Sequence, residues 1–179
     1  HLLKDGQEIT VRGRPTLEIL NNVIEISNPR LRIINVPGRR WNPWLALSES
    51  LWVLAGREDI ASIVPYNSGI KDYSDDGIKL YGAYGNRMRG SYDKIVQMLR
   101  KDPESRRAVI PIYNWADVGA DSKDIPCNTS VMFKVRNDKL YMTVTNRSND
   151  IHWGLFAVNF CQFSVLQEVM ASLLGLEVG

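Results

Sequence analysis

Hydrophobic and polar residues alternate on both sides of the dipeptide Asn137-Asp138. The alternating hydrophobic positions are Val131, Phe133, Val135, Leu140, Met142 and Val144. Alternation with a period of two around a short turn predicts a β-hairpin with one buried face. A long apolar helix is predicted to follow over 160–174 and to end at Gly175. Because strands and helices are mixed without a regular βαβ repeat, the sequence favours an α+β fold, with a mixed β-sheet packed with helices.

Shorter sequence patterns predict the secondary structure of several further segments. Residues 22–27 are rich in β-branched side chains and predict a strand, and residues 108–114 predict an edge strand because they contain Pro111. Asn42 and Pro43 suit the start of a helix that ends at Gly56. That helix is predicted to be largely buried, with one apolar stripe made of Trp44, Leu47, Leu51 and Leu54. Residues 91–100 predict another helix, and the stretch 64–90 predicts a long loop, of a length that is usually functional or mobile.

Composition limits the classes of protein to which the chain can belong. Its 179 residues correspond to one domain, with residues 1–14 predicted as a terminal arm. The net charge of +2 gives no reason to expect a nucleic-acid or membrane partner. The two cysteines, Cys127 and Cys161, exclude a disulfide framework, and no Cys/His cluster has zinc spacing, so no metal is expected. Short apolar runs and a polar start without a signal peptide predict a soluble, cytoplasmic protein.

Glu49 is a carboxylate in the middle of the apolar helix predicted over 42–56. Such a group either faces water or is held by polar partners. If Glu49 is buried, the loss of hydration raises its pKa and allows it to act as a general acid or base near neutral pH. The alternative is that Ser48, Glu49 and Ser50 form a narrow exposed face of the helix.

Cys127 follows Pro126 at the entrance to the predicted hairpin. A cysteine is a nucleophile only as the thiolate, which nearby positive charge stabilises. The residues that would supply this charge, if the fold brings them close, are Arg106, Arg107, Lys123 and Arg147. The alternative for Cys127 is an unreactive core cysteine, which is also the interpretation of Cys161 on the apolar helix.

Two polar motifs flank the strand that starts after Cys127: Ser105-Arg106-Arg107 and Asn146-Arg147-Ser148-Asn149-Asp150. Arginine forks and a serine hydroxyl suit a phosphate, and solvated strand ends are the alternative explanation. Asn159 lies between apolar residues at the start of the last helix. Its amide matches the O4 and N3–H edge of a uracil ring, and its alternative role is a helix N-cap.

Five ordered segments together resemble the thymidylate synthase superfamily, which includes the pyrimidine nucleotide hydroxymethylases. They are LSESLWVLAG at 47–56, YGAYGNRMR at 81–89, SRR at 105–107, IPC at 125–127 and NRSND at 146–150 through Asn159. They follow the family's order and similar spacings over residues 28–179. The resemblance implies that Cys127 attacks C6 of a pyrimidine nucleotide monophosphate, and that C5 then takes a one-carbon group from 5,10-methylenetetrahydrofolate.

The resemblance also implies roles for the matching residues. The implied catalytic residues are Cys127, Glu49, Tyr84, Asp150 and Asn159. The implied nucleotide-binding residues are Arg147, Ser148, Asn149, Arg106, Arg107 and Arg30, and the implied folate-binding residues are Trp52 and Asp150. Because Arg106 and Arg107 would reach the phosphate of a neighbouring subunit, the resemblance implies a homodimer.

Several departures from the family pattern bear on the reaction. Asn128 stands where the family usually has His, the loop over 66–76 has no Trp, and Asn159 fits only with a one-residue insertion after Gly154. The family's C-terminal His-x-Tyr segment has no match in residues 1–179. Methylation of dUMP to dTMP is the leading expectation. The alternatives are hydroxymethylation of dUMP, dCMP or CMP, which the altered loop favours, and nucleotide binding without catalysis, which the unmatched segment favours.

Overall fold

The computed structural model describes residues 1–33 and 37–179. The helices are α1 (Leu2–Asp5), α2 (Pro43–Leu54), α3 (Tyr84–Met88), α4 (Ser91–Lys101) and α5 (Val158–Leu174). The strands are β1 (Gln7–Val11), β2 (Arg14–Glu18), β3 (Val109–Pro111), β4 (Asn128–Arg136), β5 (Lys139–Asn146) and β6 (Glu177–Val178). The connections include 3₁₀ helices at Ser68–Tyr73 and Trp115–Asp117 and a π-helix at Ile151–Leu155.

The predicted hairpin is formed by β4 and β5, which lie at the centre of a sheet in the order β3-β4-β5-β6. Asn137 and Asp138 have φ values of 52° and 57°, the positive values that a two-residue type I′ turn requires. β3 is an outer strand, so Pro111 lies at a sheet edge as predicted. β6 pairs in parallel with β5, which makes the sheet mixed.

Helix α5 lies at the centre of the core, between the sheet and α2. The hairpin and α5 together bury a set of large apolar side chains: Val131, Phe133, Leu140, Phe163, Leu166 and Met170. Where α2 crosses α5, the Ser50 hydroxyl lies 3.8 Å from Sγ of Cys161. By length and composition alone, the stretch Ile151–Leu174 could cross a membrane, but 56% of its apolar window is buried inside the domain, which is typical of a core helix.

Three expectations about the first 56 residues need correction. The terminal arm predicted over 1–14 contains regular structure, because residues 2–18 include α1 and the β1–β2 hairpin. The predicted strand over 22–27 is wrong: these residues are exposed and pair with no strand in the described part of the chain. β-branched residues do not form a strand without a neighbouring strand or a surface to pack on.

The prediction that α2 is largely buried also needs correction, because only one side of the helix is buried. Asn42 caps the helix as expected, its side chain accepting the backbone N–H groups of Trp44 and Leu45. However, the predicted apolar stripe faces outward, with Trp44 67% and Leu51 57% exposed. The helix instead packs its other side into the core, through Leu45, Ala46, Ser50, Trp52 and Val53.

Candidate active site

Cys127 lies immediately before β4, and the guanidinium of Arg147 lies against its thiol. Arg147 directly follows β5, so pairing of the hairpin brings the two residues together, and the Arg147 N–H donates to the Cys127 carbonyl at 2.9 Å. Its Nη2 lies 3.7 Å from Sγ of Cys127. Its Nε and Nη2 also donate to the carbonyls of Pro126 and Ile125, at 2.8 and 2.9 Å. The guanidinium therefore places a fixed positive charge beside the sulfur.

Tyr84, the first residue of α3, lies close to Cys127. Burial raises the pKa of the Tyr84 hydroxyl, and negative charge on Cys127 raises it further. The Tyr84 ring packs against Phe163 of α5, with ring centroids 5.8 Å apart. A phenol that stays protonated can donate a hydrogen bond next to the nucleophile.

Asp124 joins the segment before the nucleophile to the loop before α3. The backbone N–H of Gly82 donates to Oδ2 of Asp124 at 2.8 Å. Burial raises the pKa of Asp124, and this hydrogen bond partly offsets the effect. A Cβ at position 82 would lie 2.5 Å from the carbonyl oxygen of Asp124 and 3.1 Å from Cδ of Pro126. The close approach requires glycine and positions α3 against the nucleophile segment.

Asn159 contacts the residue that follows the nucleophile. Its Nδ2 lies 3.3 Å from Oδ1 of Asn128, which is buried. The N-cap of α5 is Ala157, so the alternative role of Asn159 as a helix cap is not observed. In the preceding π-helix, the N–H of Phe156 donates to the carbonyl of Ile151, five residues earlier. A π-turn holds more residues than an α-turn.

Asp150 and Asn149 shape the start of this π-helix. Oδ1 of Asp150 accepts the backbone N–H groups of the residues two and three places later, at 2.8 and 2.7 Å. A Cβ at Gly154 would lie 2.0 Å from Oδ1 of Asn149 and 3.5 Å from Nδ2 of Asn159. The side chains of Asn149 and Asn159 therefore both lie beside Gly154, while the carboxylate of Asp150 caps the start of the π-helix.

Glu49 lies on the side of α2 that packs against α5. Nε2 of Gln162 donates to Oε2 of Glu49. Burial raises the pKa of Glu49 to about 7, and the hydrogen bond from Gln162 opposes this shift. The alternative of an exposed face at 48–50 is not found, because Ser50 is fully buried and Glu49 partly buried. A carboxyl group with this pKa can take up and release a proton near neutral pH.

The first turns of α5 hold these parts together. Asn159, Gln162 and Phe163 have the i, i+3 and i+4 spacing that places side chains on one face of a helix. They contact residues from β4, α2 and α3 respectively: Asn128, Glu49 and Tyr84. The arrangement offers a thiol beside a fixed cation, a carboxyl group with a raised pKa and side-chain amides that have both donors and acceptors.

The remaining predicted nucleotide-binding residues lie on the surface. Ser148 is exposed next to Arg147. Arg106 and Arg107 are exposed between α4 and β3, and the structure brings neither into hydrogen-bond contact with the residues around Cys127. Arg30 pairs with Glu168 of α5, its Nε lying 3.2 Å from Oε1 of the carboxylate. Their phosphate-binding roles stay predictions.

Trp52, the predicted folate-binding residue, lies in the core. Its side chain is only 7% exposed, and its indole N–H donates to the carbonyl of Asp59 at 2.8 Å. Within residues 1–33 and 37–179, no three His, Cys, Asp or Glu side chains are grouped so that they could hold a metal ion.

Sequence reasoning missed Gln162 and Asp124 as parts of the site. Gln162 could have been identified from the sequence, because it is a polar amide between Cys161 and Phe163 on an apolar helix. The same kind of exception identified Glu49. Asp124 carried a weaker signal, since an aspartate in a loop is common and only the fold reveals its contact with Gly82.

These features define a class of protein: an α+β domain in which a thiol at the start of a hairpin is paired with an arginine and lies near a helix that holds a protonatable glutamate. The family profile described as thymidylate synthase matches residues 1–179. The chain belongs to the thymidylate synthase family, as its motifs predicted.

Curated relatives include enzymes with two different names. The deoxyuridylate hydroxymethyltransferase of Bacillus phage SP01 is 40% identical, over 99% of this chain and 51% of its own length. That of Pseudomonas phage M6 is 39% identical, over 84% of this chain and 45% of its own length. The thymidylate synthase of Symbiobacterium thermophilum is 33% identical, over 74% of this chain and 53% of its own length. The chain spans about half the length of these relatives.

A solved structure has the same fold. The thymidylate synthase from T4 phage superposes with a TM-score of 0.65 at 21% sequence identity, covering 80% of this chain and 58% of that one. This similarity confirms the predicted α+β, thymidylate synthase-like architecture.

Proposed function

We propose that the protein transfers a one-carbon group from 5,10-methylenetetrahydrofolate to C5 of dUMP through a covalent adduct on Cys127. The observation that carries the proposal is the contact of the Arg147 guanidinium with the Cys127 thiol, 3.7 Å apart, at the position where the family motif places its nucleophile. A thiolate adds to C6 of a pyrimidine and shifts an electron pair toward C5 and O4. Folate supplies the one-carbon unit that C5 then attacks.

Glu49 is the proposed proton carrier for these steps. Addition at C6 places negative charge on O4, and release of the C5 proton later expels the folate nitrogen and leaves an exocyclic methylene group at C5, to which water or hydride adds. A carboxyl group with a pKa of about 7 is able to give a proton in one step and accept one in another. Sulfur leaves C6 as the double bond re-forms, which returns Cys127 to its starting state.

The nucleotide has polar partners at both ends in this proposal. The amides of Asn159 and Asn128 offer the donors and acceptors that a uracil edge requires. Nη1 of Arg147 makes no hydrogen bond within the described residues, and with the exposed Ser148 it suits a phosphate. Arg106, Arg107 and Arg30 are further phosphate candidates, the first two across a homodimer interface.

An apolar cavity supports the proposed binding of folate. Its apolar lining is Ile24, Ile26, Leu31, Leu155, Phe156 and Phe160. It lies beside the π-helix, where the N–H of Leu155 donates to the carbonyl of Asp150. Apolar and aromatic walls next to a few polar groups suit a flat ring system. Asp150 is therefore the proposed polar contact for folate.

The free thiol of Cys127 favours a reducing, cytoplasmic location for the protein.

Hydroxymethylation is the form of the reaction that we favour. It is supported by the 40% identity to a relative named deoxyuridylate hydroxymethyltransferase, by Asn128 in place of the family's His, and by the absence of Trp from the 66–76 loop. In this reaction water captures the one-carbon unit on C5 and folate leaves as tetrahydrofolate. The second candidate is methylation to dTMP, supported by the relative named thymidylate synthase, in which folate leaves as dihydrofolate.

The test is release of tritium from C5-labelled dUMP and dCMP by the full-length gene product, with the folate product measured in the same reaction. Release from dUMP with tetrahydrofolate is the expected result, and dihydrofolate would favour methylation.

The variant Cys127→Ser is expected to bind nucleotide without releasing tritium, whereas Cys161→Ser, the matched control, retains activity. Nucleotide binding without release by the wild-type protein would contradict the proposal and favour a binding protein.

A further inference from the structure

Gln162 occupies an unusual position beside the candidate proton carrier. Its side chain is buried, with the residue 4% exposed, and its Nε2 donates to Glu49. Its Oε1 is also buried and accepts no hydrogen bond from any described residue. Buried acceptors in native proteins nearly always have a donor, so an unpaired one calls for a donor that is present only in another state of the site.

Protonated Glu49 provides such a donor. An ionised carboxylate only accepts hydrogen bonds, and the Nε2–H of an amide meets that requirement. A protonated carboxyl group has an O–H to donate, and an amide oxygen can accept it. A primary amide and a carboxylic acid can then form two parallel hydrogen bonds, N–H to carbonyl oxygen and O–H to amide oxygen. One glutamine can therefore hold the same carboxyl group before and after proton transfer.

Among the residues that the structure describes, no charged group shifts the pKa of Glu49. α2 carries no other ionisable residue. The titratable side chain that α5 places against α2 is Cys161, which contacts Ser50, and α3 contributes Tyr84 next to Cys127 and Arg87, which is paired with Asp117. The two influences on the pKa of Glu49 are burial and the hydrogen bond from Gln162. This makes the amide the one polar group through which α5 acts on the carboxyl group.

We propose that Gln162 is a positioning residue that holds the Glu49 carboxyl group in both protonation states, with Oε1 accepting the carboxyl proton when Glu49 is protonated. The importance of this pairing for turnover rests on the proposed function, in which Glu49 carries protons. The pairing itself is a property of the protein without substrate, so it can be tested in the absence of nucleotide and folate.

Gln167 provides a matched control on the same helix. It is also a buried glutamine, 5% exposed, and its Nε2 donates to the carbonyls of Leu140 and Gly179 rather than to an ionisable group. Replacing either glutamine with methionine keeps the length of the side chain and removes the amide. Gln162→Met loses one buried side-chain hydrogen bond and Gln167→Met loses two, and only the first changes the partner of Glu49. Gln162→Leu is the second variant if Gln162→Met fails to fold.

The first measurement is the titration of Glu49 in the full-length protein labelled with ¹³C at the glutamate carboxyl carbon, with Glu49→Gln identifying the signal. In Gln162→Met the titration midpoint is expected to move upward by less than about one to two pH units, the shift for loss of one hydrogen bond to a charged group, because the protonated state also loses its hydrogen bonds to the amide. Gln167→Met is expected to leave the midpoint unchanged. A midpoint that moves by the full amount would show that the amide holds only the ionised state, and an unchanged midpoint together with an unmoved C=O band of protonated Glu49 would show that it holds neither; both results would overturn the proposal.

The second measurement tests the acceptor Oε1. The C=O stretching band of protonated Glu49, obtained from infrared spectra of the wild type minus Glu49→Gln at low pH, is expected to move to higher wavenumber in Gln162→Met. If the midpoint moves and this band does not, the amide holds only the ionised state, and the two-state proposal is wrong.

Kinetics separate this proposal from the proposed function. With tritium release as the assay, Gln162→Met is expected to lower kcat by about ten- to hundredfold with little change in KM, and to move the pH profile with the Glu49 titration. A lowered kcat with an unmoved profile indicates a purely structural role and overturns the proposal. A wild-type protein that shows the Glu49–Gln162 coupling but releases no tritium would contradict the proposed function alone.

Discussion

The guanidinium of Arg147 lies 3.7 Å from the sulfur of Cys127 and is held there by two backbone carbonyls of the segment that carries the cysteine. The arginine is at the end of β5 and the cysteine at the start of β4, so the strand register of the hairpin fixes the contact. The stability of the hairpin is therefore linked to the reactivity of the thiol.

The first prediction concerns this contact. Arg147→Met is expected to slow alkylation of Cys127 by iodoacetamide by about ten- to hundredfold, because one hydrogen bond to a charged sulfur is lost. Arg147→Lys keeps the positive charge but loses the planar guanidinium with its several N–H donors, so an intermediate rate of Cys127 alkylation is expected. Arg106→Met is the control and should react like the wild type. Peptide mass spectrometry reports Cys127 and the buried Cys161 separately, and equal rates at Cys127 in all variants would contradict the prediction.

The second prediction uses the pKa of Glu49 to relate stability to pH. The pKa is raised from 4.5 to about 7 in the folded protein, so ionised Glu49 destabilises the fold. The destabilisation is absent below about pH 4.5, where both states are protonated, and grows to about 3 kcal/mol as the pH rises through 7. Glu49→Gln should therefore be more stable than the wild type at pH 8 by up to this amount and similar at pH 4.5.

Urea denaturation at the two pH values measures this difference. Glutamine at position 49 retains an oxygen that can accept the hydrogen bond from Gln162, so the substitution removes the charge and preserves the contact. Gln167→Glu is not a suitable control, because it adds a buried charge. Glu58→Gln is suitable, since Glu58 is a partly exposed carboxylate paired with Lys79. A stability gain that is the same at both pH values would contradict the linkage.

Much of the fold could be predicted from local patterns, and the exceptions have physical causes. The hairpin at 128–146 and the helix ending at Gly175 follow from periodicity and turn chemistry, which act within a few residues. The face of α2 that is buried could not be predicted in this way. Nearly every position of α2 is apolar, so periodicity does not discriminate between faces, and packing against α5 decides the outcome.

The candidate site was predictable where a residue was chemically anomalous in its surroundings. Glu49 on an apolar helix and Cys127 beside a basic motif were both identified in this way. The contacts of Asp124 with Gly82 and of Gln162 with Glu49 were not, because each joins residues more than 40 positions apart. The π-helix at Ile151–Leu155 was not predicted either.

The third prediction concerns the close approach of Gly82 to Asp124. Gly82→Ala places a Cβ within 2.5 Å of a carbonyl oxygen, so the loop must shift and the hydrogen bond to the carboxylate is expected to break. A loss of about 1–3 kcal/mol in the free energy of unfolding is expected, with slower tritium release because Tyr84 moves with the loop. Gly69→Ala is the control, since its Cβ would meet only the side chain of Asn67, at 3.3 Å. Equal stability of the two variants would contradict the prediction.

The fourth prediction concerns Arg87, one helical turn after Tyr84. Its guanidinium binds the carboxylate of Asp117 with two hydrogen bonds, of 2.7 and 2.8 Å, and the Asp117 side chain is completely buried. Arg87→Met leaves that charge without its partner, so unfolding free energy at pH 7 should fall by about 3–5 kcal/mol. Removing both charges in Arg87→Met/Asp117→Leu should restore part of the loss, since no unpaired carboxylate remains.

The pH dependence of this loss follows from the carboxylate. The arginine lowers the pKa of Asp117 below its ordinary value of 3.8, so the stabilisation is complete above that value and is lost as the pH falls through the lower, folded-state pKa. Wild type and Arg87→Met should therefore converge in stability toward pH 2, as measured by urea denaturation. Arg100→Met is the control, because Arg100 is an exposed arginine that donates to the carbonyl of Leu173. If the double variant is less stable than Arg87→Met, the unpaired carboxylate of Asp117 is not the cause of the lost stability, and the prediction is wrong.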